Sequence, residues 1–350
     1  MINTHKFHKI SEWIPPDEWI EIETIDAHTA GEPLRIILSG LPEIKGDTIL
    51  EKRRYMKEHL DNYRKALMFE PRGHADMYGC IITPPVTKDA DFGVLFLHNE
   101  GYSTMCGHGI IAVTKVVLET GMFETVEPET TIKIDSPAGL ITSHAKINCG
   151  KIESVYFENV PSFVLASDQS IDIPSLGKIN FDIAFGGAFY AFVNADKFGL
   201  SMTENNYREL IHKGMIIKRA VAENFKIQHP FDNYLSFLYG TIFYGGPLSD
   251  NADSRNVCVF AEGEVDRSPT GTGVSARIAL HFFKNEIKLN ESMVIESIIG
   301  TKFSCKAIGV TNFGNYNAVI PQVEGNAFIT GKNTFYINPD DPLSEGFILR

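Results

Sequence analysis

The sequence predicts an α+β protein of two similar lobes, each a curved sheet wrapped around one buried helix. Three observations lead there. Short runs rich in β-branched and aromatic residues fill both halves of the chain. Two apolar helices open on glycine-rich turns, Met105-Cys-Gly-His-Gly109 and Pro269-Thr-Gly-Thr-Gly273. These helices also repeat one another: a shift of 164 residues lays Cys106 on Thr270, Glu100 on Glu264, Gly107 on Gly271, Gly109 on Gly273 and Ala112 on Ala276, as if one unit were used twice. A helix apolar all round must be buried along its length, so each needs a sheet around it, with its N-terminus toward the seam between lobes.

Along the chain, residues 1–19 read as an irregular, partly ordered arm in which Pro15 and Pro16 stop any early helix. Strands follow at 20–26, 35–38, 80–83, 92–97, 130–134, 140–147 and 152–157. A second series occupies 181–184, 189–193, 241–243, 256–261, 293–297, 303–309, 318–323, 327–330 and 334–337. An amphipathic, charged helix is predicted over 47–66. Another spans 203–224, behind the capping-box pattern Ser201-Met-Thr-Glu204. The apolar helices run to 119, before Gly121, and to about 283. The first lobe is expected to comprise 20–160 plus a C-terminal return of 334–350, and the second 161–333.

With 32 Lys+Arg against 44 Asp+Glu the net charge is −12, a field that repels polyanions and makes nucleic acid and anionic membrane poor partners. The densest basic run, Glu51-Lys-Arg-Arg-Tyr-Met-Lys57, has helical spacing among acidic residues and reads as a solvated helix face. No apolar run reaches the roughly 18–20 residues that cross a bilayer, and residues 1–13 show no hydrophobic signal core, so a cytoplasmic protein is expected. Five scattered cysteines form neither a disulfide framework nor a C-x-x-C metal pair. No metal site is expected.

Both helix starts satisfy G-x-G-x-x-[GA], but they follow long loops in a strand-rich chain rather than a tight strand–turn–helix, which argues against a dinucleotide site. The glycines instead let a small anion approach free backbone N–H groups at the positive end of a helix, and two facing ends could grip one carboxylate. Cys106 sits in a first helical turn, where donors and dipole favour thiolate and lower its pKa, making it a candidate base or nucleophile. Cys80, Cys149, Cys258 and Cys305 lie in or beside strand-like runs and read as inert core. His108 could pair with the thiolate or contact substrate. Asp266 could receive a substrate ammonium or serve as a turn residue in Asp-Arg-Ser-Pro.

From about residue 20 to its end the chain resembles the proline racemase family, which includes hydroxyproline epimerases and trans-3-hydroxy-L-proline dehydratases. The resemblance rests on Asp26-Ala-His-Thr-Ala-Gly-Glu-Pro33, Glu70-Pro-Arg-Gly-His-Ala-Asp-Met-Tyr-Gly79, Met105-Cys-Gly-His-Gly109, Phe185-Gly-Gly-Ala-Phe-Tyr190 and Asp266-Arg-Ser-Pro-Thr-Gly-Thr-Gly273. It implies a diaminopimelate-epimerase-like fold with the active site between lobes, and a homodimer. It also implies that backbone N–H groups of Gly107, His108, Gly271 and Thr272 hold the carboxylate of a small imino acid, with Asp266 and His108 at its ring nitrogen. Racemases and epimerases of the family carry a cysteine at both helix starts, whereas Thr270 replaces the second here.

That replacement selects the reaction. A two-base racemase needs an acid–base group on each face of Cα, and a threonine hydroxyl stays protonated near neutral pH. Dehydration needs one base, Cys106, provided a C3 hydroxyl leaves; Thr270 is left to orient substrate or water. The expectation is a hydro-lyase acting on trans-3-hydroxy-L-proline without pyridoxal phosphate, metal or other cofactor. The rivals are a proline or 4-hydroxyproline racemase or epimerase, a Cys–His hydrolase with Cys106 as nucleophile, and a non-catalytic imino-acid-binding protein. His28, Arg72, His74 and Asp76 lie in the matching motifs but receive no chemical role, and a structural part at the lobe seam is expected of them.

Overall fold

A computed structural model describes residues 12–349. The first half runs β1 (Ile20–Thr29), β2 (Glu32–Ser39), α1 (Ile49–His59), α2 (Asp61–Met68), β3 (Tyr78–Thr83), β4 (Phe92–His98), β5 (Gly101–Tyr102), α3 (Gly107–Glu119), β6 (Glu129–Ser136), β7 (Gly139–Asn148) and β8 (Lys151–Glu158). After β9 (Ser162–Ile173) come β10 (Gly177–Phe185), β11 (Phe189–Asn194), α4 (Tyr207–Asn224), β12 (Leu238–Gly245), β13 (Ser254–Phe260), β14 (Glu264–Val265), α5 (Gly271–Phe283), β15 (Met293–Glu296), β16 (Lys302–Phe313) and β17 (Tyr316–Gly325). The chain then returns in β18 (Ala327–Ile337).

The repeat extends to the ladder pattern. In the first half β2 pairs parallel with β3, β3 antiparallel with β4, and β4 crosses over through α3 to pair parallel with β6, which starts the meander β6-β7-β8. The second half repeats each step: β11 parallel with β12, β12 antiparallel with β13, a crossover through α5 to parallel β15, then the meander β15-β16-β17. Strand β17 also pairs with β9, closing a barrel of β9, β10, β11, β12, β13, β15, β16 and β17, while its far end pairs with β8. Strand β18 lies antiparallel to β1 along its length. The helices α3 and α5 are buried from Gly107 to Leu118 and from Gly271 to Leu280, as their all-round apolar surfaces demand.

Several local expectations need correction. The helix predicted over 47–66 breaks at Leu60, which leaves helical geometry to put its apolar side chain in the core; the spacing hides the break because Leu60 is itself apolar. The break starts α2 at Asp61, whose carboxylate holds Arg64 Nε at 2.7 Å and aims the guanidinium at the His98 carbonyl. The capping box occurs at Thr48 and Glu51, not at Ser201 and Glu204. There a 3-10 turn, Glu204–Asn206, intervenes before α4, and Ser201 Oγ lies against Thr203 Oγ1 instead.

Strand β9 escaped prediction because Asp168, at positive φ, and Gln169 interrupt its apolar pattern. The expected gap at 331–333 does not exist: those residues pair with β1 beside a bulge at Asp26/Ala27. The basic run 51–57 is not wholly solvated. Lys52 is buried with Nζ donating to the Pro84 carbonyl at 3.3 Å, and Arg53 donates to the Tyr102 carbonyl at 2.6 Å, their aliphatic stems lying on apolar surface. Cys80, Cys258 and Cys305 are core residues, but Cys149 is exposed in a turn at positive φ.

Of the N-terminal arm, residues 1–11 lie outside the described residues; Trp13 packs edge-on against Trp19 and Tyr336. No described helix is long and apolar enough to cross a membrane.

Candidate active site

The two central helices meet end to end. A Cβ placed on Gly107 would lie 2.6 Å from the Gly271 Cα, and one on Gly271 would lie 2.7 Å from the Gly107 Cα, so only glycine permits this approach. The first intrahelical bonds are made by Ile110 N to the Cys106 carbonyl and by Val274 N to the Thr270 carbonyl. The N–H groups ahead of them, on Gly107, His108, Gly271 and Thr272, are those a helix start leaves for a ligand. They border a cavity of about 20 Å³, little more than one water needs, lined by these four residues with Met105, Cys106, Asp266 and Thr270 and by Tyr78, Tyr190, Tyr239 and Phe260. The sequence-predicted site residues therefore share one cavity.

Cys106 and Thr270 occupy equivalent N-cap positions but differ in state. Cys106 Sγ accepts from Gly109 N at 3.2 Å and lies 3.2 Å from His108 Nδ1. The lowered thiol pKa expected from a helix start is overridden. Burial pushes it well above the ordinary value, opposed by the Gly109 N–H and the Tyr78 hydroxyl and aided by the charge of Asp266. Free of ligand, Cys106 is a thiol.

Thr270 is held at φ +69°, an uncommon conformation for a β-branched residue, and its hydroxyl lies beside the Asp266 carboxyl and the Cys258 thiol.

His108 is almost wholly buried; its carbonyl accepts from Thr29 Oγ1 at 2.8 Å, and its ring meets the Tyr78 ring edge-on at 4.8 Å. Burial and the nearby Arg267 guanidinium lower its pKa to about 3, while the Pro33 carbonyl opposes the shift. A neutral imidazole of this kind cannot form a thiolate–imidazolium pair, which removes the premise of a Cys–His hydrolase. Asp266 Oδ1 accepts from Ser268 N at 2.7 Å, and burial raises its pKa against the pull of the Ser268 and Thr270 donors.

Sequence reasoning missed the tyrosines and a clasp between lobes. Tyr190 shares a 2.7 Å hydrogen bond with Thr272 Oγ1, and the Tyr78 hydroxyl is hydrogen-bonded to Ser103 Oγ. Glu32, from β2, accepts at 2.7 Å from Arg267 N and pairs with its guanidinium at 3.4 Å, while Arg267 also donates to the Asp76 carbonyl. Glu32, Tyr78 and Tyr190 stand in the matching motifs, so a signal existed; Tyr239 and Phe260 have none.

Of the four unassigned motif residues, only Asp76 reaches the seam, through its carbonyl. Arg72 instead ties to Asp341 and Tyr336, His28 caps Gly31 N, and His74 bonds its neighbour's carbonyl. None lines the cavity. No group of three or more metal-ligating side chains occurs among the described residues.

Comparison with known proteins identifies the family. The family model described as proline racemase matches residues 24–348. The chain is 49% identical over 345 residues to a trans-3-hydroxy-L-proline dehydratase of Colwellia psychrerythraea, covering 98% of this chain and 97% of that protein. A protein of the same name from Bacillus thuringiensis is 52% identical over 326 residues, covering 93% and 97%. Among solved structures, a hydroxyproline epimerase from Agrobacterium vitis with bound trans-4-hydroxy-L-proline superposes with a TM-score of 0.90 at 32% identity, over 95% of this chain and 96% of that one.

Proposed function

The chain belongs to the proline racemase family, and from that premise we infer that it is a trans-3-hydroxy-L-proline dehydratase, a hydro-lyase that yields Δ1-pyrroline-2-carboxylate and water. The observation that carries this reading is the pairing of one thiol with one alcohol at the two abutting helix starts, Cys106 and Thr270 lining one cavity. Relatives at 49% and 52% identity bear the same name.

In this reading the substrate carboxylate lies on the N–H groups of Gly107, His108, Gly271 and Thr272. Donors preorganised toward developing enolate charge are commonly worth roughly 3–4 kcal/mol apiece. The ring ammonium lies beside Asp266 and the neutral His108, where its positive charge favours the thiolate against the burial that keeps Cys106 protonated. Cys106 then ionises and takes the Cα proton. Carbanion electrons form the Cα=C3 bond, the C3 hydroxyl departs, and the enamine tautomerises to the imine.

Thr270 bonds and orients substrate rather than delivering a proton to the opposite face, so inversion is suppressed. No step draws on a cofactor. A homodimer, supported by family likeness alone, completes the reading.

The test follows trans-3-hydroxy-L-proline in D₂O by proton NMR, with L-proline and trans-4-hydroxy-L-proline in parallel and Cys106→Ala as control. Appearance of Δ1-pyrroline-2-carboxylate with a silent control, unaffected by prior dialysis against a chelator, is expected. Inversion of proline or 4-hydroxyproline while the 3-hydroxy compound persists would overturn the assignment.

A further inference from the structure

The dehydratase reading leaves one proton unassigned, the one that must reach the departing hydroxyl. Stereochemistry restricts its source. In trans-3-hydroxy-L-proline the C3 hydroxyl lies opposite the carboxylate, hence on the same ring face as the Cα hydrogen. Base and acid must both approach from the Cys106 side, which excludes Thr270 across the cavity. His108 is unsuited as well, because its Nδ1 is already engaged at Cys106 Sγ and its ring is neutral.

Two phenols remain. Tyr78 and Tyr239 both line the cavity beside Cys106. The Tyr78 hydroxyl is bonded to Ser103 Oγ, and its ring is fixed between His98, stacked at 5.6 Å, and His108. Tyr239 is fixed by stacking on Phe260 at 5.3 Å and by an edge contact with Tyr190 at 5.8 Å. Its hydroxyl is buried, with the Tyr78 hydroxyl as its one side-chain hydrogen-bonding neighbour among the described residues. A buried hydroxyl with Tyr78 alone beside it keeps bonding capacity that a ligand atom can complete.

We propose that Tyr239 is the catalytic acid that protonates the departing C3 hydroxyl, and that the Tyr78 hydroxyl passes the proton abstracted by Cys106 back to it. This inference rests on the dehydratase reading. The Cα–H bond breaks toward Cys106 sulfur, its electrons form Cα=C3, and the C3–O bond breaks as its oxygen takes the Tyr239 proton and leaves as water. The Cys106 thiol then gives its proton through the Tyr78 hydroxyl to the Tyr239 phenolate, restoring both groups. Burial raises the pKa of both phenols, so they are protonated at neutral pH and hold a proton to give.

The test replaces Tyr239 with Phe, which keeps the ring contacts and removes only the hydroxyl. Dehydration should fall about a hundred-fold, while substrate recovered from D₂O becomes deuterated at Cα, because the carbanion forms and returns. Two results overturn the proposal: dehydration at the wild-type rate, which makes the thiol or water the acid, or loss of dehydration and α-deuteration together at unchanged Tm, which makes Tyr239 a shaping residue. Should Y239F not fold, Tyr78→Phe carries the test. Its first turnover should match wild type with later turnovers about ten-fold slower, and an unchanged steady state would overturn the relay. Failure of the wild-type enzyme to dehydrate would instead defeat the functional reading itself.

Discussion

Gly107 and Gly271, at equivalent places in the two repeats, touch backbone to backbone, so that a single methyl on either would stand 2.6–2.7 Å from the other's Cα. This contact sets the separation of the helix starts and therefore the convergence of their N–H groups on the position proposed for the substrate carboxylate. Gly107→Ala must push α3 from α5, since neither backbone can yield as a flexible side chain would. Overpacking of this kind typically destabilises by about 1–3 kcal/mol. The variant should unfold at lower denaturant concentration by that amount and lose nearly all dehydration, with KM rising as the donors diverge. A variant with wild-type KM would show that the carboxylate lies elsewhere.

Thr270→Cys restores a second thiol at the position equivalent to Cys106. Cysteine is not β-branched, so the positive φ should be tolerated no worse than with threonine. Inversion at Cα of trans-4-hydroxy-L-proline, followed by polarimetry or chiral chromatography, should rise by about two orders of magnitude or more, the usual worth of a positioned acid–base group. Dehydration should fall, because the group that orients substrate is lost. Persistent absence of inversion would mean that Thr270 is not what separates this enzyme from two-base relatives.

The gross fold was legible because the repeat is written in the residues that make it. Glycines at 107, 109, 271 and 273 and apolar runs behind them identify two buried helices, and buried helices in a strand-rich chain require enclosing sheets. The site was legible to the same extent, since Cys106, Thr270, His108 and Asp266 share one cavity. What stayed hidden depends on contacts distant in sequence. Tyr239 matters only because β12 places it beside Tyr78 and Phe260, and no local pattern marks that. The state of Cys106 was misjudged for a similar reason: a helix start favours thiolate, but burial beside Asp266 and Glu32 outweighs it.

The raised Cys106 pKa predicts the pH profile. The free enzyme must lose the thiol proton to act as base, and that pKa lies above the ordinary 9.0. Each unit of pH below it therefore decreases the thiolate fraction ten-fold. The value of kcat/KM for dehydration should climb with unit slope from pH 6 to 9. His108, at about 3, should add no break between pH 6 and 7. Initial rates in a constant-ionic-strength buffer series measure this, and a plateau below pH 7 would show that Cys106 is already ionised without substrate.

Glu32 ties the lobes together as an acid, and its protonation should govern how stability changes with pH. The carboxyl is fully buried, with one oxygen accepting from Arg267 N and the other unpartnered, facing the charges of Asp266, Arg267 and Asp76. Burial, then Asp266, raises its pKa well above 4.5, against the opposing pull of Arg267. A group whose folded pKa is raised binds more protons folded than unfolded, so its contribution is complete below the unfolded value near 4.5 and is lost as pH rises through the folded value. Glu32→Gln is neutral at every pH, keeps an oxygen for Arg267 N, and removes that slope. In calorimetric scans the difference in Tm, variant minus wild type, should grow more positive from pH 5 to 8. The carboxyls of Asp61, Glu296 and Glu324, whose pKa values are lowered, contribute alike to both proteins and cancel in that difference. A difference constant with pH would mean that Glu32 is ionised in the folded state and clasps Arg267 as an ordinary ion pair.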